Sequence, residues 1–343
     1  MQIKTPPNEK ILILGPAWVG DMVLAQSLFA SLKQQFPNCR IDVAAPAWTL
    51  PLLERMPEVT QAIALPFKHG DFAFWKRISF GKSLLQAAYT QAIILTNSFK
   101  SAILPFAANI ARRTSFLGEM RYGLINDIRT LDQDKLPRTV DRFVTLGLAK
   151  NADLPKISNP TLSANYENAI AALKKMGHAI PSVKVLGLCP GAEYGEAKRW
   201  PIDHFASTAQ FALDKGWEVW LFGSEKDLLY TRLINQQTGN RCLDLGGKTQ
   251  LGEAIDLMDL CDTIISNDSG LMHIAAALDK SLIAIFGSST PHHTPPMSNK
   301  AKIEYLGLPC SPCFKRICPL SDVSEHMQCL KKITPKNVIN LIQ

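Results

Sequence analysis

The sequence lacks long apolar runs. No part of its 343 residues approaches the ~20 consecutive apolar residues that a membrane-spanning helix requires. The first residues, 1–7, contain neither the apolar core nor the small-residue cleavage site of a secretory signal peptide. We therefore expect a protein that works in the cytoplasm.

Patterns typical of nucleic-acid-binding proteins are also missing. No zinc-finger, homeodomain or RNP pattern occurs. The net charge of +7 is moderate, and it suits an acidic partner such as a nucleotide, a phosphorylated lipid or a nucleic acid without choosing among them. The G-x-G-x-x-G fingerprint of dinucleotide-binding folds is absent from the first glycine-rich turn, residues 15–22. We expect no nucleic acid partner.

The length and the order of the apolar segments predict two α/β domains. A chain of 343 residues exceeds the size at which one hydrophobic core usually suffices. Short apolar runs alternate with helical patterns, which is typical of parallel sheets. We expect two similar units joined through the polar segment Lys150–Ser163. The predicted strands are Ile11–Leu14, Ile41–Ala45, Ala62–Leu65, Ala92–Thr96, Thr114–Leu117, Val183–Cys189, Val219–Phe222, Cys242–Leu245, Thr263–Ser266, Leu282–Phe286 and Ile303–Leu306.

The segment Ser266–His273 is the most informative part of the chain. It ends an apolar strand candidate and leads directly into the apolar helical run 274–278. Such a loop leaves unpaired backbone N–H groups at the positive end of a helix, where a phosphate binds well. Asp268 or Ser269 can cap this helix, and Gly270 allows a ligand to approach the backbone. The segment predicts a site for the diphosphate of a nucleotide.

Asp21 lies where the first predicted strand passes into a helix. The turn before it, residues 15–20, contains two glycines and a proline, which permit a tight connection. Ligands of open α/β sheets bind beyond the carboxyl ends of the strands. Asp21 is therefore a candidate general base. The alternative is a carboxylate that only stabilises the start of the helix.

The second half has candidates of its own at predicted strand ends. The loop Gly191–Pro201 presents Lys198 and Arg199, so it can hold a diphosphate or form an ordinary basic surface loop. Glu225 follows the next strand, where it can accept hydrogen bonds from ribose hydroxyls or remain a solvated loop acid. His273 is a candidate catalytic acid or phosphate donor, but a lone histidine on an apolar helix also fits a structural role.

Basic and aromatic residues interleave in the segment Phe67–Arg77. An anionic acceptor at a membrane surface would suit such a patch, together with the cations that follow it. A solvated amphipathic helix is the alternative. The candidate acceptor-binding cations are Lys76, Arg77, Arg112, Arg113 and Arg121.

The eight cysteines fall into two groups. Four are scattered along the chain and are interpreted as small buried hydrophobic residues. The other four lie in a short proline-rich segment that begins with a C-x-x-C pair, a spacing compatible with structural zinc. A reduced surface loop is the alternative. These four are Cys310, Cys313, Cys318 and Cys329.

Six motifs, taken in order, resemble those of a known family. They are Gly15–Met22, Ala45–Trp48, Arg55–Val59, Gly118–Asp127, Gly195–Pro201 and Ser266–His273. The chain resembles the ADP-heptose:lipopolysaccharide heptosyltransferases over nearly its whole length, and most closely the type II enzymes of the inner core. The resemblance implies a GT-B fold, with two Rossmann-like domains facing a central cleft. It also implies domains at residues 1–160 and 161–330, with the C-terminal helix, residues 331–343, packing back on the first domain.

The resemblance implies an inverting reaction that needs no essential metal. Heptose would move from ADP-heptose to the first heptose of the lipid A–Kdo inner core, at the inner face of the inner membrane. Asp21 matches the family's base, and Lys198 matches the lysine that neutralises charge on the departing ADP. The basic residues of the first domain would face the anionic acceptor. No function transfers to the four clustered cysteines.

The resemblance also assigns the donor site. Asp268, Ser269, Gly270 and Leu271 match the loop whose amides hold the diphosphate, and His273 matches a histidine beside it. Glu225 matches the ribose-binding acid, although Ser224 and Asp227 lie equally close in the sequence.

Other functions remain open at this point. A heptosyltransferase could act at another inner-core position. A nucleotide-sugar epimerase would share the fold and form its product without an acceptor. A sugar-binding protein without catalysis would be expected to be exported, and the missing signal peptide argues against that reading.

Overall fold

The computed structural model describes residues 9–67 and 70–342. Residues 1–8, the basic positions Lys68 and His69, and Gln343 lie outside this description. Contacts divide the chain into two compact units, Met1–Pro160 and Thr161–Gln343. No helix within the described residues is long and apolar enough to cross a membrane.

The first unit contains a parallel sheet of six strands. Its strands are β1 (Lys10–Leu14), β2 (Arg40–Pro46), β3 (Gln61–Leu65), β4 (Gln91–Ile94), β5 (Arg112–Phe116) and β6 (Asp127–Arg129). Its helices are α1 (Val19–Gln35), α2 (Leu50–Leu53), α3 (Phe74–Ser83), α4 (Ile103–Ala107) and α5 (Thr139–Leu146). The strand order β3-β2-β1-β4-β5-β6 is that of a Rossmann-like fold.

The second unit repeats this architecture. Its strands are β7 (Val185–Cys189), β8 (Glu218–Leu221), β9 (Leu243–Asp244), β10 (Thr263–Asn267), β11 (Ser281–Ile285) and β12 (Ala301–Glu304). Its helices are α6 (Tyr166–Lys175), α7 (Ile202–Asp214), α8 (Leu228–Gln237), α9 (Leu251–Met258), α10 (Gly270–Ala277), α11 (Gln328–Lys331) and α12 (Pro335–Ile339). The order β12-β11-β10-β7-β8-β9 is equivalent to that of the first sheet.

The central strands form the core of each unit. Residues 11–14 of β1 and 185–189 of β7 are fully or almost fully buried, because a parallel sheet is covered on both faces by helices. In the register, Ile13 pairs with Val43 of β2 and Ile93 of β4. In both units the strand order reverses at the first strand, which creates a crevice at the carboxyl edge of the sheet.

The predicted α/β class is confirmed. Each predicted strand overlaps one of the sheet strands, and β6 is the strand that the sequence did not predict. β6 has three residues, of which Asp127 and Arg129 are charged, so it carries no apolar pattern.

The C-terminal helix α12 packs against α7 and falls within the second unit. Val338, Leu330 and Ile333 belong to the hydrophobic core of the second unit. The indole Nε1 of Trp200 also donates to the carbonyl of Ile333, at 2.8 Å. These contacts bury an apolar face of the C-terminal segment in the core of the second unit.

Candidate active site

Asp21 lies at the carboxyl edge of the first sheet, beside β1. Gly15 directly follows the strand and donates from its amide to the carbonyl of Ala44, at 3.0 Å. A Cβ atom at Gly15 would lie 2.6 Å from the methyl carbon of Met22, so the end of that side chain would have to move if Gly15 were replaced. Asp21 is half-buried in the first turn of α1, where the helix dipole stabilises a carboxylate. This position suits a group that accepts a proton from a bound ligand.

Two tryptophans lie exposed on the loops that surround this position. Trp18 precedes α1 and is 47% exposed, and Trp48 follows β2 and is 49% exposed. The indole Nε1 of Trp48 donates to the carbonyl of Ala17, at 3.3 Å, and so ties the two loops together. Exposed aromatic rings at a ligand edge provide apolar faces for a sugar. The sequence motifs contained both residues but did not indicate this exposure.

In the second unit, Asn267 holds two loops of the carboxyl edge in place. This residue ends β10 and is fully buried. Its Oδ1 accepts from the amide of Trp200 at 2.9 Å, and its Nδ2 donates to the carbonyl of Pro190 at 2.7 Å. These bonds fix both ends of the loop that carries Lys198. The sequence pattern assigns no role to Asn267, although its place at the end of a strand was a usable signal.

Lys198 and Asp268 form an ion pair at this edge. Lys198 Nζ lies 2.5 Å from Asp268 Oδ2, and the side chains are 17% and 5% exposed. Ser289 Oγ donates to the same carboxylate oxygen, also at 2.5 Å. Lys198 Nζ lies 5.2 Å from the ring centroid of Tyr194. The ammonium group is therefore held at the site by a carboxylate and an aromatic face.

Helix α10 begins directly after this ion pair. Ser269 is its N-cap residue in an extended conformation, and its side chain does not cap the helix. Asp268, the other expected cap, instead accepts from Lys198 and Ser289. Ser269, Gly270 and Leu271 are half-exposed, and the first amides of a helix have no partner within it. The start of α10 can therefore donate to an anion.

His273 is buried one turn further along α10. Within the described part of the chain, its Nδ1 has no hydrogen-bond partner. Burial lowers the pKa of His273 to about 4, and the positive charge of Lys198 also lowers it, while Asp268 raises it. The imidazole is therefore neutral at pH 7 and does not supply a positive charge to a phosphate.

The acids after β8 have different environments. Asp227 is buried and accepts from both the amide and the hydroxyl of Ser224, at 3.0 and 2.8 Å. A Cβ atom at Gly191 would lie 2.5 Å from the Asp227 carboxylate, so this acid is packed against the backbone. Glu225 is exposed at the same edge. Among these acids, Glu225 is the one that can turn towards a ribose.

The predicted acceptor-binding cations do not form one surface. Lys76 is exposed on α3, but Arg77 is buried and donates to the carbonyls of Phe72 and Asp71, at 2.8 and 3.0 Å. Arg112 and Arg113 begin β5, so they lie at the amino end of the sheet, opposite the ligand edge. Lys76 alone of these four combines exposure with a place after the carboxyl end of a strand.

Arg121 is the fifth predicted cation, and it is completely buried. It donates to the carbonyls of Thr96 and Leu117, at 2.7 and 3.1 Å, and to Ser115 Oγ, at 2.8 Å. Burial lowers its pKa to about 10. Arg121 therefore supports the loops after β4 and β5 and does not present a charge to an acceptor.

Comparisons with known proteins identify the family of this chain. Residues 77–324 match the family described as glycosyltransferase family 9 (heptosyltransferase). The chain belongs to glycosyltransferase family 9. It is 43% identical to lipopolysaccharide heptosyltransferase 2 of Salmonella typhimurium, over 96% of each chain. It is 46% identical to lipooligosaccharide heptosyltransferase 2 of Haemophilus ducreyi, over 86% of this chain and 88% of the relative.

A solved structure of the family supports the fold directly. The structure of Escherichia coli ADP-heptose LPS heptosyltransferase II has a TM-score of 0.85 and 40% identity, with 97% of each chain covered. The predicted GT-B-type fold class is therefore confirmed. As a member of family 9, the protein is a glycosyltransferase, and the resemblance of its sequence motifs is confirmed as well.

Proposed function

We propose that this protein transfers heptose from ADP-heptose to the first heptose of the lipid A–Kdo inner core. The proposal is supported by family membership and by relatives named heptosyltransferase 2 at 43% and 46% identity. The observation that carries it within the chain is the Lys198–Asp268 pair beside the first turn of α10. A cation and helix amides together suit the diphosphate of a nucleotide sugar.

Asp21 is the proposed general base. Its carboxylate takes the proton of the acceptor hydroxyl as that oxygen bonds to the anomeric carbon of heptose. The bond between this carbon and the phosphate oxygen breaks, and its electron pair leaves with ADP. Attack opposite the leaving group inverts the configuration. Trp18 and Trp48 provide apolar faces for the reacting sugars beside this base.

Lys198 and α10 are the proposed partners of the leaving group. The amides of Ser269, Gly270 and Leu271 hold the diphosphate, and Lys198 balances the negative charge that grows on it. Stabilisation of developing charge by fixed donors is worth several kcal/mol, about 3–4 for a single donor in comparable enzymes. His273 acts as a neutral neighbour, and Glu225 binds the ribose hydroxyls.

The decisive experiment compares acceptors with different numbers of heptoses. The protein is incubated with ADP-heptose and with Kdo–lipid A carrying zero, one or two heptoses. We expect ADP release and a mass gain of one heptose with the one-heptose acceptor. A reaction only with another acceptor would move the activity to another inner-core position. Conversion of the donor without an acceptor would favour an epimerase, and no reaction at all would refute the proposal.

We also propose that the protein works in the cytoplasm and binds the inner face of the inner membrane peripherally. Phe72, Phe74 and Trp75 form an aromatic group at the start of α3, with ring centroids 6.1 and 5.1 Å apart. Trp75 is 78% exposed, and the exposed Lys76 follows it. Exposed aromatic rings beside a cation are typical of surfaces that bind anionic lipid.

A vesicle-binding measurement tests this membrane proposal. The protein should co-sediment with vesicles that contain phosphatidylglycerol more than with pure phosphatidylcholine vesicles, and Trp75→Ala should reduce the bound fraction several-fold. Leu229→Ala is the matched control, because Leu229 is a 63% exposed apolar residue of α8 in the second unit. Equal binding by both variants would contradict a role for Trp75.

A further inference from the structure

The four clustered cysteines, hereafter the cysteine cluster, surround one small cavity. Cys310, Cys313, Cys318 and Cys329 all line it, although as many as 19 residues separate them in the chain. The cavity has a volume of about 20 Å³. This is room for roughly one water-sized sphere, and therefore for one metal ion.

The environment of the cluster suits a cation. All four cysteines line the same cavity; Cys313, Cys318 and Cys329 are partly buried there, and Cys310 is exposed. A cation bound in this cavity would stabilise the sulfur atoms that ligate it as thiolates.

The cluster also has a hydrogen bond that favours a charged sulfur. The amide of Met327 donates to Cys318 Sγ, at 3.5 Å. Backbone N–H groups directed at sulfur stabilise thiolate ligands of metals. In the described part of the chain, no group of three or more His, Cys, Asp or Glu side chains is arranged to hold a metal ion as it stands. Binding therefore requires the sulfur atoms to close in on the cavity.

The segment that carries the cluster packs against the Lys198 loop. The amide of Ala197 donates to the carbonyl of Arg316, at 3.0 Å. The hydroxyl of Tyr194 donates to the carbonyl of Phe314, at 2.7 Å. A Cβ atom at Gly195 would lie 2.4 Å from the oxygen of Arg316, so the two backbones are in direct contact. Whatever orders residues 310–329 therefore also orders the loop that carries Lys198.

We propose that Cys310, Cys313, Cys318 and Cys329 bind one zinc ion, which fixes the loop of the proposed donor site. Four thiolates in a tetrahedral arrangement, about 2.3 Å from the metal, form a closed structural zinc site. Each thiol that becomes a ligand releases its proton to solvent as Zn²⁺ binds. The zinc takes no part in glycosyl transfer. The donor-site consequence rests on the proposed function, whereas zinc binding itself does not.

The test measures metal content and not activity. The full chain, purified without chelators, should contain about one zinc per protein by elemental analysis. A mercurial reagent that modifies thiols should release this zinc in step with modification of four cysteines, which requires no mutation. Cys313→Ser should lower the zinc content several-fold. Cys242→Ser is the control, because Cys242 lies in the core of the second unit and away from the cavity.

Several results would overturn the proposal. These are a zinc content near zero, iron in place of zinc, or equal zinc in wild type and in Cys313→Ser. A circular dichroism spectrum and a melting curve check that Cys313→Ser is folded. The effect on the donor site is measured separately: loss of zinc should raise the Kd for ADP several-fold. Zinc binding without any change in Kd would refute the coupling to the Lys198 loop while leaving glycosyl transfer intact.

Discussion

The nearly buried carboxylate of Asp268 in the second unit pairs with Lys198, so the same ion pair affects both the stability of the fold and the proposed reaction. Asp268 is compensated by Lys198 and Ser289, and the start of α10 lies directly beside it. In the proposed reaction, this arrangement holds the lysine ready for an incoming diphosphate. It also means that removing the lysine leaves a buried charge without its partner.

The first prediction concerns Lys198→Met. Breaking a buried ion pair typically costs ~3–5 kcal/mol. Because Lys198 is partly exposed and the Ser289 hydroxyl remains, we expect the free energy of unfolding to fall by about 2 kcal/mol. We expect the transfer rate to fall by a factor of ~10²–10³. Urea unfolding and ADP release measure the two effects.

The matched control for this variant is Lys226→Met. Lys226 pairs with Glu193 on the surface, with side chains 71% and 49% exposed. Exposed pairs contribute little, so this variant should retain both stability and rate. An equal loss of stability in the two variants would contradict a stabilising role for the buried Lys198–Asp268 pair.

The second prediction concerns the pH dependence of stability. The pKa of His273 is about 4 in the folded protein, against an ordinary value of 6.5. As pH falls below 6.5, the unfolded chain takes up a proton that the folded chain does not, so stability decreases until about pH 4. The loss in free energy of unfolding that results from His273 amounts to at most about 3 kcal/mol. Urea unfolding measures the free energy of unfolding between pH 7.5 and pH 4. This free energy should fall less for His273→Gln than for the wild type. Equal falls in the two proteins would contradict the prediction.

Individual side chains were the part of the site that the sequence predicted least well. Arg77, Arg113 and Arg121 resemble surface cations in the sequence, yet their guanidinium groups donate to nearby backbone carbonyls. Whether an arginine faces solvent depends on the packing of distant segments. Asp268, by contrast, was correctly expected at a strand end, but its partner Ser289 comes from another loop.

Strands and helices were easier to predict than side chains. The apolar runs of β1, β7 and β10 are buried on both faces, so composition alone revealed them. The short β6 and the packing of α12 depend on neighbours and not on local pattern. The role of the Asn267 side chain also depends on neighbouring segments, because its hydrogen bonds to Pro190 and Trp200 join positions about 70 residues apart in the sequence.

The third prediction concerns the contact between the Lys198 loop and the segment of the cysteine cluster. Gly195→Ala would place a Cβ atom 2.4 Å from the Arg316 oxygen, and the two segments would have to separate. We expect the KM for ADP-heptose to rise several-fold, because Lys198 would lose its position. Glu196→Ala, an exposed change in the same loop, serves as the control. A KM shift shared by both variants would contradict the steric explanation.

At the scale of the whole molecule, two units of the same strand order have different tasks in the proposed reaction. The first unit supplies Asp21 and exposed tryptophans, and the second supplies the Lys198–Asp268 pair and the start of α10. Six motifs in sequence order were sufficient to predict the fold class and the family. This is because each motif lies at a loop of a regular βαβ framework.

The proposed mechanism depends most on Asp21 as the general base of glycosyl transfer. Asp21→Asn keeps the size of the side chain but removes its capacity to accept a proton. The measurement is ADP release with the one-heptose acceptor, together with the Kd for ADP-heptose. We predict a rate lowered by a factor of ~10²–10⁴ with the Kd changed by less than about twofold. A rate close to that of the wild type would contradict the role of Asp21 as the general base.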